Sequence, residues 1–297
     1  MAGEDSTLPR RQLGRFLRQY RKKIGLTMAQ AAQLVEIGTS TLHRIERGTA
    51  DKVRPRLIER LCEIYERSNA EKTALKQLAE QAAAETWYHE FSDLLPDHFD
   101  DYVGLEASAR QLISYQELVP GLLQIEQYAR TMMHDYTPAT SDRDIERHVA
   151  LRIRRQTIVR RRAAPVELDV VLHESALRRV VGSPKIMANQ SRHLADASTW
   201  PNVAMRVLPF TAGIPMGMLP GPFVILDCGF DSKGRPVEPT VVYVESVITA
   251  HLYLQKEADV ERYRAVSAAL HAAALDPVDT RALLRSLAKE YELWAET

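Results

Sequence analysis

Residues 26–48 read LTMAQAAQLVEIGTSTLHRIERG, and the spacing of their apolar members predicts two short helices joined by a tight corner. Ala31, Ala32 and Val35 make one stripe of a first helix, Ile37 sits in the corner, and Leu42 and Ile45 line one face of a second. Ala32 falls where the helices cross, and a methyl there lets the backbones approach at a steep angle. Thr27 precedes the first helix as an N-cap, Gly38 can cap the second, and Gly48 stops it. The second helix turns Thr39, Ser40, His43 and Arg44 to water, with Arg47 at its end. That small polar face fits a DNA major groove, the arrangement of a helix-turn-helix.

The apolar spacing and the glycine stop alone would also serve an ordinary helical hairpin; the surrounding charge favours DNA. From Arg10 to Arg60 the chain carries thirteen basic residues: Arg10, Arg11, Arg15, Arg18, Arg21, Lys22, Lys23, Arg44, Arg47, Lys52, Arg54, Arg56 and Arg60. Only four acids, Glu36, Glu46, Asp51 and Glu59, oppose them. The whole chain of 297 residues balances 39 basic against 39 acidic residues, so this basic end is a local footprint of phosphate binding. With 45% hydrophobic and 26% charged residues the chain has material for two cored domains. No apolar run approaches the roughly 18 residues of a membrane span. The opening MAGEDSTLPR has an acidic pair and no apolar core, unlike a signal peptide, so a cytoplasmic protein is expected. Cys62 and Cys228 fall in different predicted domains and read as buried thiols rather than a disulfide or metal site.

Leu13, Phe16, Leu17, Tyr20 and Ile24 predict a helix ahead of the corner, with Arg15, Arg18, Lys22 and Lys23 outside. After Pro55, the wide apolar arc of Leu57, Ile58, Leu61, Cys62, Ile64 and Tyr65 predicts a central helix. Ser68 or Asn69 caps a fifth, running through Leu75, Leu78, Ala79, Ala82 and Ala83 to about Thr86. The expected order is a disordered N-terminus over 1–10, a five-helix domain over 11–83, a junction over 84–106 and an α+β domain over 107–297. Eight acids and no Lys or Arg fall between Glu80 and Glu106, interleaved with Trp87, Tyr88, Phe91, Phe99 and Tyr102. This is either a solvated linker with an aromatic anchor or a docking surface for a partner or second subunit. DNA repels it in either case.

In the second domain, LEASARQLISYQELVPGLLQIEQYARTMM from Leu105 predicts two helical pieces hinged at Pro120 and Gly121. A helix from Ile145 to about Arg162 carries Arg147, Arg152, Arg154, Arg155, Arg160, Arg161 and Arg162. It reads as a solvated face, an answer to the acidic stretch, or a DNA contact. Five strand candidates follow: VELDVVLH from Val166, VAMRVLPF from Val203, GPFVILDC from Gly221, VVYVES from Val241 and ITAHLYLQ from Ile248. Two helices separate the first two strands, and two more close the chain.

The first domain resembles the Xre type of bacterial regulators, whose DNA-binding unit has five helices like those of phage repressors. The matching residues are the leucine-rich first helix, GLT at 25–27, the apolar positions above and RIERG at 44–48. The resemblance implies that Arg21 pairs with Glu46 and ties the first helix to the end of the recognition helix. Two positions depart from the pattern. Met28 stands where many relatives have a glutamine that contacts a phosphate, and Glu36 where many have a glycine. The second departure implies either a corner that avoids φ > 0 or one strained by about 1–2 kcal/mol. The second domain, through LEASA, VPGLLQ, YAR, LRIRRQ, HESALRRVVG, MANQSRHL, VLPF, GPF, VVYVES and YLQKEADVERY, resembles the regulatory domain of actinobacterial antitoxin-like regulators of the Scr type. That resemblance implies a transcriptional regulator paired with a small partner protein encoded next door.

No catalytic pattern emerges. His173 and Glu174 are adjacent and point to opposite sides of a strand end. The glycine-rich GIPMGMLPGP at 213–222 lacks the Lys-Ser/Thr of a phosphate loop and reads as a loop or a lid. No enzyme activity, cofactor, metal or membrane association is expected. The expected protein is a DNA-binding transcription regulator acting as a homodimer on a near-palindromic operator in double-stranded DNA. Thr39, Ser40, His43 and Arg44 would contact base edges, with Arg44 on guanine, while Thr27, Arg47, Lys52 and Arg54 hold phosphates. The alternative is a ligand-responsive regulator with a small-molecule pocket under residues 213–222, lined by Phe210, Met216, Met218 and Phe223.

Overall fold

In the computed structural model, which describes residues 8–48, 50, 53–69, 71–73, 75–76, 79, 91, 99–136, 140–162, 164–218, 220–230, 236–245 and 252–297, the chain folds as two units, Met1–Gly104 and Leu105–Thr297. The first opens with α1 (Leu8–Lys23), so residues 8–10, expected as the end of a disordered tail, are instead its first turn. Pro9 is tolerated there because first-turn N–H groups have no intrahelical acceptor. Then come α2 (Met28–Leu34), α3 (Thr39–Arg47) and α4 (Pro55–Ile64). Helical backbone resumes at 69 and in the described residues 71–73, 75–76 and 79; the rest of the predicted fifth helix lies outside the described residues.

Leu13 and Leu17 of α1, Ala31 and Ala32 of α2, Leu42 and Ile45 of α3, and Ile58, Leu61 and Cys62 of α4 pack into one core. The caps are local. Gln30 N donates to Thr27 Oγ1 at 3.2 Å while Thr27 N donates to Gln30 Oε1 at 2.9 Å, a reciprocal capping box. Gly48, at φ 74°, ends α3 in the left-handed region. In the corner Glu36 takes φ 59°, so of the two alternatives its side chain left open the strained one is realised.

A close approach of α1 to α3 positions the second helix of the motif. A Cβ added to Gly14 would stand 2.5 Å from Ile45 O and 2.7 Å from Glu46 O, both backbone atoms that cannot swing aside. Gly14→Ala must therefore push α3 off α1, and urea denaturation should show the first unit losing about 1–3 kcal/mol. An unchanged midpoint would mean that the two helices part freely.

The second unit rests on a six-stranded sheet in the order β3-β2-β1-β4-β5-β6. Its strands are β1 (Gln111–Gln116), β2 (Glu167–His173), β3 (Val203–Leu208), β4 (Phe223–Asp227), β5 (Val241–Val244) and β6 (Leu252–Leu254). β1, β2 and β3 are parallel neighbours joined by helical crossovers, and β4, β5 and β6 continue antiparallel from β1. The architecture is thus a helical unit followed by an α+β unit.

β1 corrects the sequence reading, which made this segment helical and counted about five strands. Tyr115 pairs with Val171 on one side and Phe223 on the other, so QLISYQ is a central strand. Helix-forming neighbours mask it locally, and Ile113 and Tyr115 express their strand preference only between partners on both sides. The predicted hinge is a single 3-10 turn, Gly121–Leu123. The long arginine helix is likewise two helices broken at Gln156.

The helices of this unit are α5 (Phe99–Ser108, across the division between units), α6 (Glu126–Tyr136), α7 (Asp142–Arg155), α8 (Thr157–Arg160), α9 (Ser175–Arg178), α10 (Pro184–Ala197), α11 (Glu257–Ala273) and α12 (Pro277–Ala295). On one sheet face Tyr115, Val171, Phe223, Ile225 and Val242 pack with Val260 and Leu270 of α11. Leu112, Val170, Met205 and Leu226, which alternate with them, are buried on the other face.

One arginine of the predicted basic face turns inward: Arg155 Nε and Nη2 donate to Glu106 Oε2 at 2.7 Å and Oε1 at 2.8 Å. Gln190 donates Nε2 to Leu123 O and accepts Ile125 N at Oε1, each at 2.8 Å, which fastens the turn before α6. Cys62 and Cys228 are free and buried, and desolvation pushes their thiols up to about 11 and about 12, so neither is a reactive thiolate at neutral pH. No described helix is long and apolar enough to cross a membrane.

Candidate nucleic-acid interface

A 3.6-residue period places Ser40, His43, Arg44 and Arg47 along one side of α3, and all four, with Thr39, are exposed. Leu42, Ile45 and Glu46 form the buried side. The apolar pair holds α3 in the core. The acid anchors its last turn: Arg21 Nε donates to Glu46 Oε1 at 2.6 Å and Nη2 to Oε2 at 2.8 Å, with only 9% and 2% of the two side chains exposed. Arg21 also donates Nη1 to Leu26 O at 2.9 Å, so one guanidinium links α1, the loop before α2 and α3. The Glu46 hydrogen bond raises the Arg21 pKa against the opposing effect of burial, so the guanidinium keeps its charge.

Beside this pair lies a cleft of about 210 Å³ lined by Arg18, Arg21, Met28, His43, Glu46 and Arg47. Exposed cationic or polar groups from α1 and α3 thus meet along one rim. Sequence reasoning placed Arg18 on the outer face of α1 but not in the site. The available signal was its position three residues before Arg21, which puts both on one side of the helix.

The predicted phosphate contacts divide. Arg47 lies on the cleft, and Arg54 is exposed as the N-cap residue of α4. Lys52 lies outside the described residues. Thr27 is exposed, but its Oγ1–H donates to Gln30 Oε1 at 2.9 Å, so its hydroxyl can reach a phosphate only by leaving the capping box.

In the second unit the remaining candidates serve structure. His173 Nδ1 lies 2.8 Å from Ser175 Oγ, while Glu174 accepts Phe210 N at 2.8 Å and Arg178 Nε at 2.7 Å. The four residues grouped as a pocket wall do not act together: Phe223 is in the core and Met216 packs partly buried against it, whereas Phe210 and Met218 are 54% and 68% exposed. Among the described residues no group of three or more His, Cys, Asp or Glu could hold a metal ion.

The family pattern described as "Domain of unknown function (DUF5753)" matches residues 99–286, and that described as "Helix-turn-helix domain" matches residues 12–75. No curated protein and no solved structure matches the chain.

Proposed function

We propose, for a chain that belongs to the DUF5753 family through residues 99–286 and carries a helix-turn-helix domain ahead of it, that it is a sequence-specific DNA-binding transcription regulator. The observation that carries this reading is the exposed row Thr39, Ser40, His43, Arg44 and Arg47, anchored from behind by the buried Arg21–Glu46 pair and flanked by Arg18. The row is short, polar and cationic, as base edges and flanking phosphates require. Arg44 reads guanine O6 and N7; Thr39, Ser40 and His43 read neighbouring edges; Arg18, Arg47 and Arg54 hold phosphates, with Lys52 assigned to that set from its charge and place in the chain. A cytoplasmic homodimer on a near-palindromic operator, with half-sites about one helical turn apart, follows from how such helices are used.

The test is a duplex selected from a randomised pool by the intact chain, then titrated by anisotropy against random DNA at several salt concentrations. Arg44→Ala should lose about 1–3 kcal/mol on the selected site and relax base choice at one position. Arg54→Ala should weaken both duplexes alike and flatten the salt slope by about one. Equal losses on both duplexes for Arg44→Ala would remove it from the reading set.

The sequence blocks of the second unit support a finer reading, that this unit binds a small protein encoded next door in an antitoxin-like pairing. Copurification of the two, with operator affinity changed by the added partner, is the expected result. A partner that leaves operator affinity untouched would sink the coupling.

A further inference from the structure

We propose that the elbow between α7 and α8 is a binding site for a small phosphorylated ligand, held by Arg160 and Arg161, with the charge of Arg110 close to Arg161 adding to the attraction. A cleft of about 350 Å³ opens there, lined by Ile153, Gln156, Thr157, Arg160 and Arg161, a volume in the range of small-ligand sites. The break at Gln156 makes the cleft and is itself braced, because Gln156 Nε2 donates to Gly121 O at 2.9 Å and Gln124 O at 2.7 Å. The end of α8 is fixed too: Asn202 Nδ2 donates to Val159 O at 3.0 Å and Val166 O at 2.8 Å. The walls are therefore preformed.

The donors left facing the cleft are guanidinium groups. Gln156 has used both amide protons, and Thr157 Oγ1–H donates to Arg154 O at 2.8 Å. Arg160 sits over the Trp200 ring with Cζ 4.8 Å from the centroid, a cation–π contact that restrains the guanidinium without using its N–H donors. Arg161 gives only Nε, to Ala164 O at 2.7 Å. Arg110 is held at the head of β1 by Arg110 N to Asp227 O and Glu167 N to Arg110 O, both 2.8 Å. Among the described residues no carboxylate pairs with any of these three arginines.

Partial burial first, and the nearby Arg110 charge second, lower the Arg161 pKa, so two like charges stand close to each other here. Folding has assembled like charges at a concave surface, a cost that an anion would reverse. Planar guanidinium forks match phosphate oxygens in pairs, which selects a phosphate ester over a single-point anion. Free phosphorylated molecules and the DNA backbone share this chemistry; the small volume of the cleft favours the former, and the DNA titrations below distinguish the two.

The experiment is calorimetric titration of the intact chain with sodium pyrophosphate and with inorganic phosphate, alongside DNA titrations. Wild type should bind pyrophosphate, and Arg160→Gln/Arg161→Gln should weaken it by about tenfold or more, the loss expected for charge-assisted hydrogen bonds, with operator affinity unchanged. Arg110→Gln, which removes no backbone contact, should give a loss of several-fold and guards against misfolding of the double variant. Retention of pyrophosphate binding in all these variants would overturn the proposal. So would absence of binding by wild type, or a double variant that loses DNA affinity and salt slope while pyrophosphate binding persists.

Discussion

Glu46→Ala should destabilise the first unit by about 3–5 kcal/mol and abolish measurable operator binding at concentrations that saturate the wild type. The substitution deletes two charge-assisted bonds to Arg21, at 2.6 and 2.8 Å, and leaves a guanidinium whose side chain is only 9% exposed without its counter-ion. The remaining Leu26 O contact neutralises no charge. Small domains have total stabilities of about 5–15 kcal/mol, so a loss of this size reaches the unfolding threshold. Arg21→Met/Glu46→Leu should recover much of the stability, because the cost lies in the stranded charge rather than in any large net value of the pair. Urea unfolding of the two variants reads the difference. A Glu46→Ala cost below about 1 kcal/mol would mean that Arg21 reaches water without it.

Glu106→Ala should cost the second unit about 3–5 kcal/mol by the same logic. Arg155 and Glu106 are joined at 2.7 and 2.8 Å with side chains 8% and 2% exposed. The bond closes a loop of 49 residues between α5 and α7, so the turn, α6 and the start of the β1-to-β2 crossover lie inside it. Differential scanning calorimetry should show the second unit's transition lowered by about 10 °C with that of the first unit in place. A shift confined to the first unit's transition, or no shift, would contradict the assignment of this pair to the second unit's core.

Local signals made part of this fold and site legible from residues alone. Ala31, Ala32, Val35, Leu42 and Ile45 repeat within two helical turns, Gly48 ends α3 where a left-handed residue is needed, and both buried cysteines lie on apolar stretches. β2 to β6 were readable because each falls in a short apolar run rich in β-branched or aromatic residues. β1 was not, since its residues choose a strand only when β2 and β4 flank them. Arg155 looked like its arginine neighbours because nothing within one helical turn reveals which of them meets an acid 49 residues earlier.

The sequence by itself determined where the recognition helix begins and ends, which of its faces is polar, and that a basic helical unit precedes an α+β one, because caps, period and charge act over a few residues. Tertiary structure alone decided the approach of Gly14 to the carbonyls of α3, the placement of Arg18 beside His43 and Arg47, and the approach of the Arg110 charge to Arg161 near the elbow. Those relations join residues far apart in the chain, and only the packing of whole helices and strands brings them within reach.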